Sequence, residues 1–382
     1  FLLLWDRPIE DAIYSEVGET AGAAPVIVAH FGRLIEKRRR DLIAPTRGQP
    51  RSFLVLDDTL VLFLCGERQM RLPSFFACTL PFTFLNPYST TAGLVPPEVF
   101  FGRSHERDKI MDMLGSCFIY GGRQLGKTAL LRDVERRFHN PQEGRIAIYI
   151  DLKTKGLGLD RHINDIWKLI EEEFRRHRII SPQARPNADP FHLGRAIQEW
   201  LEKDSQRRIL LMLDEADRFL TSDSHAEKNQ EGFVRTSRLK GWMDDTGRRF
   251  KVVFAGLHNV QRTTRLSNHP LAQYGAPICI GPLLNNGDMR EAQALAEFPL
   301  RMCGYRMETK DLTMRILSQT NFYPSLIQLY CSQLLQHVSD PHTRKFDPAQ
   351  SPPFRLNSHH VEGAYRSQDL RKAIRDRFIW TL

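Results

Sequence analysis

Eight consecutive residues constrain this chain more than any others: Gly121-Gly122-Arg123-Gln124-Leu125-Gly126-Lys127-Thr128, which fit G-x-x-x-x-G-K-[ST] in full. They follow an apolar run, Cys117–Tyr120, and precede a segment whose Leu130, Leu131, Val134 and Phe138 fall on one helical face. A strand, a glycine-rich loop and a helix in that order aim backbone N–H groups at one point, where the helix N-terminus adds partial positive charge. A P-loop's grip on phosphate rests on this arrangement. In that reading Gly121, Gly122, Arg123, Gln124, Leu125, Gly126 and Ala129 would form the cradle, Lys127 would reach the β- and γ-phosphates, and the Thr128 hydroxyl would ligate Mg²⁺. The competing reading is an incidental glycine turn ahead of a lysine-capped helix.

A second element follows about 87 residues after Lys127, in Arg208-Ile-Leu-Leu-Met-Leu213-Asp214-Glu215-Ala216-Asp217. An apolar strand running into two acids puts carboxylates at its C-terminal end, the edge at which open α/β sheets bind ligands. Asp214 is the candidate to hold Mg²⁺ through water and Glu215 the candidate to polarise the attacking water. Between and around these motifs, the apolar runs Ile146–Leu152, Val252–Ala255 and Ile278–Ile280 alternate with amphipathic segments such as Leu193, Ala196, Ile197, Trp200 and Leu201. That alternation predicts an α/β fold: a P-loop core with a five-stranded parallel sheet covered on both faces. ATP is favoured over GTP, because Lys153-Thr-Lys-Gly lacks the Asp of the Asn/Thr-Lys-x-Asp element.

Together the motifs resemble P-loop ATPases of the additional-strand class, and more narrowly the STAND and archaeal-type ATPase branch of the AAA+ group. Four shorter matches share the resemblance. Phe100-Phe-Gly-Arg103-Ser-His-Glu106 resembles the entry turn, and Phe250 to Asn259 resembles a fourth strand ending in a polar sensor. Pro270-Leu271 with Ile278–Leu283 resembles the fifth strand leading to the lid. Thr320-Asn-Phe-Tyr-Pro324 resembles the "G-x-P" lid motif, with Phe322 in place of Gly. The resemblance implies that Arg103 approaches the nucleotide, that Asn259 or His258 senses the γ-phosphate, that Pro324 belongs to the nucleotide site, and that Arg262 or Arg265 stands where a trans-acting arginine finger lies. It also implies a Mg·ATP-dependent ATPase acting as a conformational or oligomerisation switch, of the kind used in prokaryotic defence or regulation. Two alternatives stay open: a DNA-binding AAA+ ATPase resembling origin-recognition or transposon-regulator proteins, and a non-hydrolysing nucleotide-binding scaffold.

Organisation and partners follow from the rest of the sequence. Residues 1–98 read as a small α+β segment, 99–284 as the P-loop core, 285–340 as a helical lid, and 341–382 as a linker and basic helix leading to a further domain. Within the first zone, Ala24–Ile43 reads as a helix, Phe53–Leu56 with Leu60–Cys65 as a hairpin, and the proline-rich stretch 72–97 as an extended connector. Six cysteines, spaced singly, argue for reduced thiols and a cytoplasmic setting over a disulfide frame or zinc site. No uncharged apolar run approaches the roughly 20 residues that span a bilayer. The net charge of +9 is spread over several basic clusters, so nucleic-acid contact is an open expectation, strongest through 355–382. Homo-oligomerisation is a further expectation.

Overall fold

The computed structural model describes residues 2–4, 26–35, 38, 53–82, 86–89, 93, 95–225, 232–256, 274–284, 287–339 and 353–379. They fall into two compact units, one of residues 1–91 with 289–378, the other of 92–288 with 379–382.

The first unit opens with a parallel three-stranded sheet, β1 (Leu2–Leu4), β2 (Val26–His30) and β3 (Phe53–Asp57), in that order. β2 corrects the helix expected from Ala24: Val26, Ile27 and Val28 are β-branched and lie between two partner strands. The expected hairpin is instead a strand followed by helix α1 (Asp58–Gly66). Asp57 makes the switch, being fully buried and accepting the Leu60 amide as N-cap and the Leu34 amide on its other oxygen. Helix α2 (Arg71–Thr79) occupies part of the stretch expected to be extended, and Pro73 is tolerated because it falls in the first turn, where its missing N–H has no intrahelical partner anyway.

The second unit holds the core. Helix α3 (Ser104–Met111) leads to β4 (Phe118–Gly121) and α4 (Lys127–Phe138), then β5 (Arg145–Asp151), α5 (Ile166–Arg176) and α6 (Pro190–Glu202). β6 (Arg208–Asp214), α7 (Asp217–Ser224), α8 (Val234–Asp245), β7 (Phe250–Gly256) and β8 (Ile278–Ile280) complete it. All five strands pair in parallel in the order β5-β6-β7-β4-β8, so the expected five-stranded sheet is present, with β7 inserted between the P-loop strand and the acidic strand. Every residue of β4 and β7 is buried, as a sheet covered on both faces requires. Phe118 stacks on Phe254 at 5.2 Å with Tyr274 edge-on to both.

The chain then returns to the first unit with α9 (Asp288–Met302), β9 (Tyr305–Met307), α10 (Lys310–Gln319) and α11 (Pro324–Ser339). β10 (Phe354–Leu356), α12 (Ser358–Arg366) and α13 (Gln368–Ile379) follow. Two expectations change here. The stretch read as all helix contains β9, whose three-residue pairing with β10 lies almost fifty residues along the chain, beyond the reach of local periodicity. The single basic helix expected within 341–382 is two helices, broken at Ser367. Among the described residues, no helix is long and apolar enough to cross a membrane.

One charge in the core is unusual. Lys251 on β7 is completely buried, and its ammonium donates to the carbonyls of Lys109 (3.3 Å), Ile110 (2.8 Å) and Asp112 (2.6 Å), closing the C-terminal end of α3. Burial pulls its pKa down to about 8, against the attraction of Cys117 and Asp112. Between about pH 8 and about pH 10 the unfolded chain therefore holds the extra proton, and this group's contribution to stability rises with pH. The difference in unfolding free energy between the parent and Lys251→Met should move in the parent's favour across that window, by at most about 1.4 kcal/mol per pH unit. Denaturant titrations at stepped pH measure it, and a flat difference would contradict the assignment.

Candidate nucleotide-binding site

Residues 121–129 wind from the end of β4 into α4. Gly121 is required by packing: a Cβ there would sit 2.4 Å from the Ile280 carbonyl oxygen of the neighbouring strand β8. Gly126 is required by conformation, with φ of 90° immediately before the helix. Gln124 adopts φ of 62° without that freedom, a local cost at a functional turn. Arg123 is exposed, whereas Leu125 and Ala129 are buried.

Lys127 and Thr128 face opposite tasks. The Lys127 ammonium is buried and donates to the carbonyls of Gly121 (2.8 Å) and Gly122 (2.9 Å). Burial lowers its pKa, while Glu215, Asp214 and Asp217 pull the other way. The Thr128 hydroxyl donates to Asp214 Oδ2 at 2.7 Å, although the two residues are 86 positions apart. Asp214, at 1% exposure, also accepts the Tyr149 hydroxyl at 2.8 Å on the same oxygen and the Glu215 amide at 2.9 Å on the other. Glu215 follows with φ of 52°, a strained conformation that turns the chain sharply off β6, and the Ala216 amide is tied to the Ala255 carbonyl on β7. Burial and the adjacent Asp214 charge raise the Glu215 pKa above the usual carboxylate range.

Of the sequence-predicted residues, the structure brings Gly121 through Ala129, Asp214 and Glu215 to the C-terminal edge of the sheet. Asn259, His258, Arg262, Arg265 and Pro270-Leu271 lie outside the described residues. Pro324 begins α11 in the other unit. At the position where the resembling lid motif has glycine, Phe322 adopts φ of 57° and its amide closes on the Leu317 carbonyl at 3.0 Å. Left-handed backbone is thus retained there with a bulky side chain, at a cost of about 1–2 kcal/mol.

Tyr149 has no place in the motifs, yet it touches the central carboxylate, and its ring carries the Arg132 guanidinium at 3.6 Å. A hydroxyl tip on the buried strand Arg145-Ile-Ala-Ile-Tyr-Ile-Asp151 was the available signal. Arg103 is placed differently from a surface turn. It is 3% exposed, its guanidinium donates to the carbonyls of Leu125 (3.3 Å) and Gly281, and it pairs with Glu106 (3.4 Å) and Asp288 (3.7 Å). It thereby ties the phosphate loop to the segment leaving β8.

The donor set suits a hard cation. Among the described residues no three His, Cys, Asp or Glu gather into a metal cage. A buried carboxylate beside a hydroxyl fits Mg²⁺, which takes one or two protein oxygens and fills its shell with phosphate oxygens and water.

Residues 113–263 match the family model described as AAA domain, which supports an AAA+ P-loop NTPase core. No curated protein matches the chain. Similar solved structures include the Aeropyrum pernix ORC1 protein in complex with DNA, 15% identical over 70% of this chain and 66% of that one, with a TM-score of 0.40. The Aeropyrum pernix ORC2 protein in ADPNP–ADP complexes is 14% identical over 72% of this chain and 70% of that one, with a TM-score of 0.47. Cdc6p from Pyrobaculum aerophilum is 16% identical over 65% of this chain and 64% of that one, with a TM-score of 0.39. The chain spans about two thirds of the length of these structures.

The Arg103 geometry yields a prediction. Arg103→Ala removes the buried guanidinium that pairs with Glu106 and Asp288 and bonds the Leu125 and Gly281 carbonyls, and should destabilise the core by about 3–5 kcal/mol, measured by denaturant unfolding. Unchanged stability with a loss confined to nucleotide affinity would show that Arg103 contacts nucleotide instead.

Proposed function

We propose that this protein binds Mg·ATP at residues 121–129 and hydrolyses it to ADP and phosphate, using the cycle as a conformational or oligomerisation switch in the manner of the STAND branch, in the cytoplasm. The observation that carries the reading is the 2.7 Å contact between Thr128 and Asp214, which joins the two motifs at the edge of the sheet where the Lys127 ammonium is also held.

The residues divide the chemistry among them. Backbone N–H groups of the loop and the α4 N-terminus bind the phosphates, and Lys127 exchanges its two carbonyl partners for phosphate oxygens. Thr128 and Asp214 would hold Mg²⁺, which supplies neutralisation of charge on the phosphate oxygens. Glu215 orients a water toward the γ-phosphorus. As the water oxygen bonds to phosphorus, the bond to the β,γ-bridging oxygen breaks and the water proton passes to the carboxylate. Tyr149, hydrogen-bonded to Asp214, keeps that carboxylate pointed at Thr128. Asn259 as γ-phosphate sensor belongs to the same proposal.

Lys127→Ala should abolish binding of a fluorescent ATP analogue. Glu215→Gln should keep that binding while phosphate release falls at least about a hundredfold. Turnover at the parent rate in both variants would overturn the proposal.

A further inference from the structure

The unit formed by residues 1–91 and 289–378 contains a cavity of about 640 Å³, lined among others by Leu300, Tyr305 and Met307 and by Arg301, Arg306, Lys310 and Arg355. Its frame is the parallel pair β9–β10, whose inner residues Tyr305 and Phe354 are buried with their rings 5.8 Å apart. The Phe354 amide bonds the Gly304 carbonyl at 2.8 Å and the Glu308 amide bonds the Leu356 carbonyl at 2.9 Å, so both ends of the pair are pinned.

On this frame, Arg306 and Arg355 stand directly opposite each other in register, both exposed and both on the cavity wall. Neighbouring strands are about 4.8 Å apart, so two guanidinium stems leave the sheet side by side. Like charges placed so are unfavourable unless something lies between them. Several basic residues elsewhere pair with carboxylates: Arg175 with Glu171 at 2.7 Å, Arg176 with Glu173 at 2.8 Å, Arg195 with Glu199 at 2.8 Å, Arg315 with Glu362 at 2.9 Å. Among the described residues, the side chains of Arg301, Arg306, Lys310 and Arg355 make no ion pair or hydrogen bond. Two acids also line the cavity, and one of them, Glu297, already accepts the Thr313 hydroxyl at 2.7 Å. The other, Glu308, is exposed. Four cations thus converge with two acids on a concave wall with an apolar part.

We propose that this cavity binds a small ligand carrying a phosphate on an apolar or ring body. The paired Arg306 and Arg355 grip the phosphate in bidentate fashion, and the half-buried Met307 on the cavity wall takes the body. The volume lies within the range of small-molecule sites, which favours such a ligand over an extended polyanion lying across an open face. The site is separate from the phosphate loop and does not rest on the ATPase reading.

The test uses the full chain carrying Lys127→Ala, so that phosphate binding at the loop does not enter the signal. Inorganic phosphate and adenosine 5′-monophosphate are titrated calorimetrically into this protein, and into the same protein with Arg306→Gln and Arg355→Gln. Saturable binding, about tenfold or more tighter for the monophosphate than for inorganic phosphate and lost with the two arginines, is the expected result. Removing like charges from an exposed pair should leave the thermal midpoint at or above the parent's, which separates lost binding from lost folding. Three results would overturn the proposal: no saturable binding, binding unchanged by the arginine substitutions, or retention of duplex DNA with a steep salt dependence in place of the small probes.

Discussion

The buried carboxylate of Asp214 is the constraint around which the core is arranged. A charge at 1% exposure needs several partners, and it has the Thr128 hydroxyl, the Tyr149 hydroxyl and the Glu215 amide, drawn from helix, strand and turn. Parallel pairing makes this convergence possible, since it brings the C-terminal ends of β5, β6, β7 and β4 to one edge. The inserted β7 matters as well. Its Ala255 carbonyl anchors Ala216, so the turn carrying Glu215 is fixed from both neighbours.

Two buried cations hold the frame behind that edge, each by closing on backbone carbonyls. Arg103 joins the phosphate loop to the segment after β8, through Leu125 and Gly281. Lys251 closes the end of α3 against the middle of the sheet. Neither position would look special in composition, where both are single entries in a net charge of +9. In the fold they convert desolvated charge into rigidity of the segments flanking the site, because a bare ammonium or guanidinium in the interior would be far costlier than one fully bonded.

Much of the core was legible from residue order. The run Gly121–Thr128 and the run Ile209–Glu215 each carry their own strand, turn and ligand groups, so local pattern sufficed to place them. The flanking unit was harder for a physical reason. β2 is five residues long and acquires its identity from two partners, and β9 from one nearly fifty residues away. Asp57 reads as a turn residue until its burial and its hold on the Leu34 and Leu60 amides are known. Tyr149 and the in-register pair Arg306–Arg355 escaped for the same cause, since their meaning lies in what stands across a strand.

The central claim is that Asp214 and Thr128 form the metal-dependent half of a nucleotide site. ATP affinity measured by titration calorimetry, in magnesium and in EDTA, addresses it most directly when parent and Asp214→Asn are compared. The account predicts that magnesium tightens ATP binding by the parent at least about tenfold, and that this ratio falls close to one in Asp214→Asn with the fold retained by circular dichroism. A variant that keeps the parent's magnesium dependence would contradict it.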